Sequence, residues 1–260
     1  MEILSKLREF IANISLNVLD IMNFTDEIIK QLGKSIGIEF VIYVSDLIRC
    51  VLRTVISRWL IKQFGIEQFR KWYISRTLSI MDIDGIVIGY LLQYGLEKIQ
   101  NELKLSKTEN VKRKIINLDG VEFVISGKPD FEIIENGITI PVEIKFSKKE
   151  IDKPMPYHVI QCGLYAWLYN VNYCKLIIFT PFKNMEFTIN TFNNEFVNTL
   201  FRKWISKAPF WKNECLRCIY SEFCSNELKT CINKRIKNIH DFVNFIKNFN
   251  LDIELLSYED

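Results

Sequence analysis

The stretch GKPDFEIIENGITIPVEIKF, residues 127–146, decides the fold. Asn136-Gly137 sits between two runs rich in Ile, Val and Phe, and Asn-Gly supplies the positive φ angles of a two-residue hairpin turn. Counting back from that turn pairs Glu135 with Ile138 and Ile134 with Thr139. Asp130 then lies directly opposite Glu143, with Cβ atoms about 5 Å apart on one face. Lys145 shares that face, because side chains alternate along a strand. Phe131, Ile133, Val142, Ile144 and Phe146 take the other face and read as core. Two like charges in register repel, whereas a divalent cation between them turns repulsion into coordination by hard oxygen ligands. The alternative is a solvated hairpin face with ordinary Glu/Lys alternation. Pro141 is the one place where a bulge would shift this pairing.

Outward from this hairpin the period changes. KRKIINL, Asp119-Gly120 and VEFVIS form a second hairpin signal just upstream. Downstream the pattern predicts a helix over about 156–170, strands at CKLIIFTP and MEFTIN, and a helix in NNEFVNTLFRKWISKA that stops before Pro209. Residues 1–44 carry apolar positions at helical spacing (Ile3, Leu7, Phe10, Ile11, Ile14). Thr25 or Asp26 caps a second helix ending near Gly33. Ser45-Asp46 is a candidate cap for the helix carrying Cys50, and more helix is expected through 53–75 and 84–104. The tail after 225 reads as helical and rich in Lys and Asn. The expected fold is a mixed α/β domain.

Composition bounds the function. The 260 residues are 48% apolar, enough for a large core. Lys and Arg number 34 against 31 Asp and Glu, a net charge of +3, so nucleic-acid binding has to rest on a local patch. Lys6, Arg8, Glu9 and Asn13 interrupt the first apolar residues, which argues against a signal peptide. No run is apolar and long enough for a membrane span. A cytoplasmic, reducing location is the default. There, seven cysteines are metal ligands or core residues rather than disulfides.

Cys215, Cys218 and Cys224 lie within ECLRCIYSEFC at C-x2-C-x5-C spacing, and Cys50 stands far upstream. A turn of this kind aims several soft ligands at one metal, with a distant fourth closing the set. Structural zinc on four thiols is one chemistry of that kind, and Cys231 is an alternative ligand with a poorer spacing. Cys162 and Cys174 fall in a predicted helix and strand and read as buried thiols. Gln161 and Tyr165 share a helix face, with Tyr157 and His158 one turn earlier. That face either contacts a DNA backbone or base or is an ordinary amphipathic surface. Lys148, Lys149 and Lys153 follow the acidic strand. Arg202, Lys203, Lys207 and Lys212 interleave with Trp204, Phe210 and Trp211, a mixture suited to single-stranded DNA, although Trp204 also reads as core.

With these residues together, the chain resembles the RecB-type nucleases of the PD-(D/E)xK superfamily. Within it, the chain is most similar to the CRISPR-associated exonucleases that carry an iron–sulfur cluster, the fourth Cas protein family. Val44 to Cys50 resembles the first-cysteine segment. Gly127-Lys128-Pro129-Asp130 and Glu143-Ile144-Lys145 resemble the two acidic motifs. Gln161 to Tyr165 resembles the Gln-x3-Tyr motif, and Cys215, Cys218 and Cys224 the terminal trio. The resemblance covers about 44–225. It implies a restriction-endonuclease-like mixed sheet flanked by helices, with a cysteine-ligated region joining the N-terminal and C-terminal parts. The implied division is an N-terminal helical extension at 1–43, a nuclease domain at 44–225 and a helical tail at 226–260.

It implies a 4Fe–4S cluster on Cys50, Cys215, Cys218 and Cys224, and Mn²⁺ or Mg²⁺ on Asp130 and Glu143. Asp130, Glu143, Lys145, Gln161 and Tyr165 are the implied catalytic set. The implied activity is digestion of single-stranded DNA from an end, in CRISPR spacer acquisition, with CRISPR integration proteins as partners. A homo-oligomer is compatible with this reading. The family's further metal-binding histidine is missing: counting four residues from Gly85 gives Gly89, and from Gly89 gives Gln93. Tyr90, Gln93, Glu97 or His158 are candidates to replace it, while His240 reads as a surface or capping residue. The competing reading is a cluster-bearing DNA-binding or adaptation-complex subunit with weak or no cleavage. A zinc-ribbon interaction protein is a third.

Overall fold

The computed structural model describes residues 42–80, 94–98, 100, 105–108 and 111–247. The expected helices before residue 42, the segment with Gly85, Gly89, Tyr90 and Gln93, and the end of the tail lie outside them. The chain divides into two compact units, each built from separated segments.

The first unit takes in 82–112 and 127–193. Its sheet has strands β2 (Ser106–Lys107), β5 (Phe131–Glu135), β6 (Ile138–Phe146), β7 (Tyr173–Phe179) and β8 (Asn184–Asn190), in the order β2-β5-β6-β7-β8. The β5–β6 register is the expected one, from Glu135 opposite Ile138 to Phe131 opposite Val142. Asn136 and Gly137 have φ of 51° and 79°, as a type I′ turn requires. Pro141 stays in register opposite Glu132. The parallel ladder to β7 starts one residue later, at Val142 opposite Lys175, so no bulge is needed to accommodate the proline.

Phe131, Val142 and Phe179 on one sheet face pack with Leu96 and Leu105, and Ile133, Ile144, Phe146 and Ile177 lie against them. Of the expected 84–104 helix, residues 94–98 are described and helical. Helix α4 (Pro156–Tyr169) packs against β6 and β7. Pro156 occupies its first position, where its missing N–H costs nothing, and Asn170 ends it in the left-handed region. Every residue from Gln161 to Leu168 is buried, so α4 is covered on all sides.

The second unit takes in 26–81, 113–126 and 194–260. Strands β1 (Ile42–Tyr43), β4 (Val121–Gly127) and β3 (Lys112–Leu118) form a sheet in the order β1-β4-β3, with β1 parallel to β4. Asp119 and Gly120 make the expected hairpin turn, with φ of 53° and 82°. Helix α5 (Asn194–Ile205) buries Val197, Leu200, Phe201, Trp204 and Ile205, one continuous helical stripe. Helices α6 (Asn226–Arg235) and α7 (Ile239–Lys247) follow. The architecture is mixed α/β, with two mixed sheets and flanking helices, consistent with a restriction-endonuclease-like fold.

One local expectation fails. The helix capped near Ser45-Asp46 does not carry Cys50. It is one turn, α1 (Val44–Leu47), and Cys50 is the N-cap of a separate helix, α2 (Val51–Phe64). The helix expected through 53–75 is present, as two helices. Gly65, at φ 75°, ends α2, and α3 (Ile66–Ile80) starts immediately after. A residue with a side chain is strained at that φ, which is why the break falls on glycine.

Candidate active site

The acidic pair of the first unit is at the C-terminal half of β6. Asp130 stands one residue before β5, and its Oδ2 accepts the Ile144 N–H at 2.8 Å. That bond extends the hairpin register by one step and sets Asp130 beside Glu143. Glu143 is 3% exposed. The charged face is therefore not solvated, contrary to the simplest reading of the alternation, because α4 lies over it. Lys145 Nζ donates to Glu143 Oε1. Glu143 Oε2 is buried with no hydrogen-bond partner among the described residues.

The electrostatics follow from burial. Burial, then the neighbouring Asp130, raises the Glu143 carboxyl to about 7. Burial also raises Asp130, with Glu97 adding to the rise and Lys145 opposing it. Burial lowers the Lys145 ammonium, but Glu143 and Asp130 outweigh it and the net shift is upward. The cluster is thus two crowded carboxylates against one lysine, with Glu143 buried and Asp130 and Lys145 half-buried.

Gln161 and Tyr165 are buried, not a solvent-facing ridge, and Gln161 Nε2 donates to Tyr165 Oη at 3.2 Å. Burial and then Glu143 push the Tyr165 phenol well up. His158 stands one turn before Gln161. Burial and then Lys145 depress its imidazole to about 4, so it is neutral at physiological pH. Its Nδ1 is buried and has no partner among the described residues. Cys162 and Cys174 are buried thiols, as expected.

The residues fit a hard divalent cation. Glu143 Oε2 is an orphaned buried acceptor, and a buried like-charge pair is stabilised by a shared cation. Mg²⁺-type sites commonly use one or two carboxylates and complete their shell with water and substrate phosphate. Among the described residues no group of three His, Cys, Asp or Glu side chains is set to hold a metal. Among the described residues, two carboxylates are what the centre contains.

A prediction arises here. Glu143 titrates near 4.5 when unperturbed and about 7 in the fold. The folded state therefore holds a proton that the unfolded state releases between those values, and stability falls as pH rises through that window. Glu143→Gln should raise the melting temperature of metal-free protein at pH 8 by roughly 2–6 °C, the effect of about 1–2 kcal/mol in a chain of this size. At pH 4 it should change little. Melting curves at both pH values with chelator present check this.

In the second unit, Cys50, Cys215, Cys218 and Cys224 line one small cavity with Leu52, Arg53, Ile56, Glu214 and Tyr220. Cys215 is on a 3-10 turn (Glu214–Arg217), and Cys231 is not among the lining residues. Burial raises the Cys50 thiol to about 12 and also raises Cys218 and Cys224. Arg53 opposes the rise at Cys218, and Lys229 at Cys224. By donor type, four thiols lining one cavity beside an arginine suit a soft thiolate-bound metal group, but no three of them stand in metal-holding geometry in this structure.

The basic and aromatic group before the cysteines does not form a stacking platform. Trp204 and Phe210 are buried. Arg202 donates to Asp119 from both terminal guanidinium nitrogens, at 2.7 and 2.8 Å. Lys148, Lys149 and Lys153, in the other unit, are exposed. Sequence reasoning did not single out Glu214, whose carboxylate accepts three backbone N–H groups around the cysteine cavity. No side-chain pattern signals such a role, because the donors are main-chain atoms.

No protein-family model matches the chain. It is 27% identical over 194 residues to the CRISPR-associated exonuclease Cas4 of Saccharolobus solfataricus, across 73% of this chain and 90% of that protein. It is also similar to the crystal structure of SSO0001, with a TM-score of 0.63 and 27% identity, across 78% of this chain and 95% of that one.

Proposed function

We propose that this chain, a relative of the RecB-like nucleases of the Cas4 family, is a divalent-metal-dependent deoxyribonuclease that digests single-stranded DNA, as an exonuclease in CRISPR spacer acquisition. The observation that carries the reading is the close Asp130–Glu143 pair, with Glu143 buried and one of its oxygens without a partner among the described residues, and Lys145 on the same face. Asp130 and Glu143 would hold Mn²⁺ or Mg²⁺. When bound, such an ion supplies Lewis acidity and a water acidified toward neutrality.

The chain's own residues supply the rest. The Ile144 N–H fixes the Asp130 carboxylate. Lys145 stays cationic and offers its ammonium to charge developing on the phosphate. His158, neutral and short of a partner, is available to a proton or a phosphate-bound water. Gln161 and Tyr165 brace one another on α4 and line the buried side of the pair. Water adds to phosphorus, the ester P–O bond breaks, and the leaving oxygen takes up a proton.

In the second unit the reading assigns a structural 4Fe–4S cluster to Cys50, Cys215, Cys218 and Cys224; structural zinc is the chemical alternative. The proposal sets this work in the cytoplasm, with CRISPR integration proteins as partners. Among the described residues no helix is long and apolar enough to cross a membrane. A second reading, a DNA-binding or adaptation-complex subunit with little cleavage, is favoured by one observation: among the described residues only two carboxylates form the candidate centre.

Anaerobically purified protein with Mn²⁺ is the test, offered end-labelled single-stranded DNA, duplex DNA and RNA in parallel. Rapid loss of the single-stranded DNA is expected. Tight DNA binding without strand loss would support the second reading.

A further inference from the structure

Glu214 is where the two sequence-distant cysteine segments meet. Its Oε1 accepts the Cys50 N–H at 2.5 Å, across 164 positions of sequence. Its Oε2 accepts the N–H groups of Phe210 and Trp211 at 3.1 and 3.3 Å. Beside it, the Trp211 indole donates to the Ile48 carbonyl at 2.7 Å. One carboxylate and one indole thus fasten 48–50 to 210–214, and both segments run directly into cavity-lining cysteines.

Electrostatics alone would not put a carboxylate there. Cys50 is already raised by burial, and Glu214 raises it further. A negative charge beside thiols works against the thiolates a metal needs. The carboxylate is compensated by its three N–H donors, a charge-assisted arrangement worth more than neutral hydrogen bonds. Its benefit is positional. Without it, bringing Cys50 to the loop means closing a chain segment of 164 residues against entropy.

We propose that Glu214 is a positioning residue that sets Cys50 beside the Cys215–Cys224 loop before any metal is bound. The proposal rests on the four-cysteine reading above, but its core statement concerns metal-free protein. The fold itself brings the four thiols to the lining of one cavity, and metal binding draws them the rest of the way together.

The test uses full-length protein, reduced and stripped of metal under anaerobic conditions, and treated with dibromobimane, which bridges nearby thiols. Peptide mass spectrometry then quantifies bridges that join the Cys50 peptide to the Cys215–Cys224 peptide. In wild type this bridge should form readily. Glu214→Ala should lower its yield at least about fivefold. Glu214→Gln, which keeps one acceptor for Cys50 and loses the charge, should recover part of the yield, an ordering that a general loss of packing would not produce. Far-UV circular dichroism identifies a variant that fails to fold, and Glu214→Gln then carries the comparison alone. Equal yields in wild type and folded variants overturn the proposal, as does a wild type with no Cys50 bridge. Iron and zinc uptake by the same wild-type protein is measured separately. A Glu214-dependent bridge in a chain that takes up neither metal would keep the positioning role and sink the metal-site reading.

Discussion

Lys145→Ala should lower DNA cleavage by about 100- to 1,000-fold, the range seen when one donor to developing charge is removed. DNA affinity should change little, because a single buried ammonium contributes little to a phosphate-tracking surface. The substitution also removes a cation that opposes the raised Asp130 and Glu143 carboxyls. Metal-free variant should therefore be less stable at neutral pH. Added Mn²⁺ should restore the melting temperature, since a cation between the carboxylates replaces the lost ammonium, while the rate stays low. This split separates a role in the reaction from a role in folding. A variant that cleaves at the wild-type rate would remove Lys145 from the site, and a Mn²⁺-insensitive melting curve would remove the metal from Asp130 and Glu143.

Cys218→Ser should cost most of the bound iron and much of the second unit's stability. A metal group held by thiolates binds the folded chain far better than the unfolded one, so its binding energy is folding energy. Loss of roughly 4 kcal/mol from such linkage corresponds to about 10 °C in a chain of this size. The brown absorbance of anaerobic protein and its iron content should fall together with the melting temperature. The acidic pair is in the other compact unit, so Mn²⁺ binding by Asp130 and Glu143 should persist. Zinc in place of iron would keep the four-thiol set and replace the cluster. A variant that stays brown and fully stable would take Cys218 out of the ligand set.

The sequence carried the acidic centre further than it carried its surroundings. Asn136-Gly137 and a strict alternation defined a local register, and the register alone brought Asp130 to Glu143. Hairpins are legible because turn chemistry and pairing act over a few residues. Burial of Glu143 was not legible, because α4 covers it from ten or more residues downstream. The same packing turned Gln161 and Tyr165 from a candidate DNA-facing ridge into a buried pair. Cys50 was recognisable as a ligand by type, but its place as the N-cap of α2 depends on a break after Leu47 that no glycine or proline marks. Phe210 looked available beside its lysines, and tertiary packing took it inside, while Trp204 is in the core as its helical spacing allowed. Glu214 left no trace in the pattern, since it acts on main-chain donors of a segment 164 residues away.

The central claim is that Asp130 and Glu143 form a working metal centre for DNA cleavage. Mn²⁺-dependent digestion of end-labelled single-stranded DNA, by anaerobically purified wild type beside Asp130→Ala, tests it most directly. The account expects rapid strand loss with wild type, none with chelator, and none with Asp130→Ala despite a retained brown colour and fold. A brown, folded wild type that leaves the DNA intact, or an Asp130→Ala variant that digests it as fast, would contradict it.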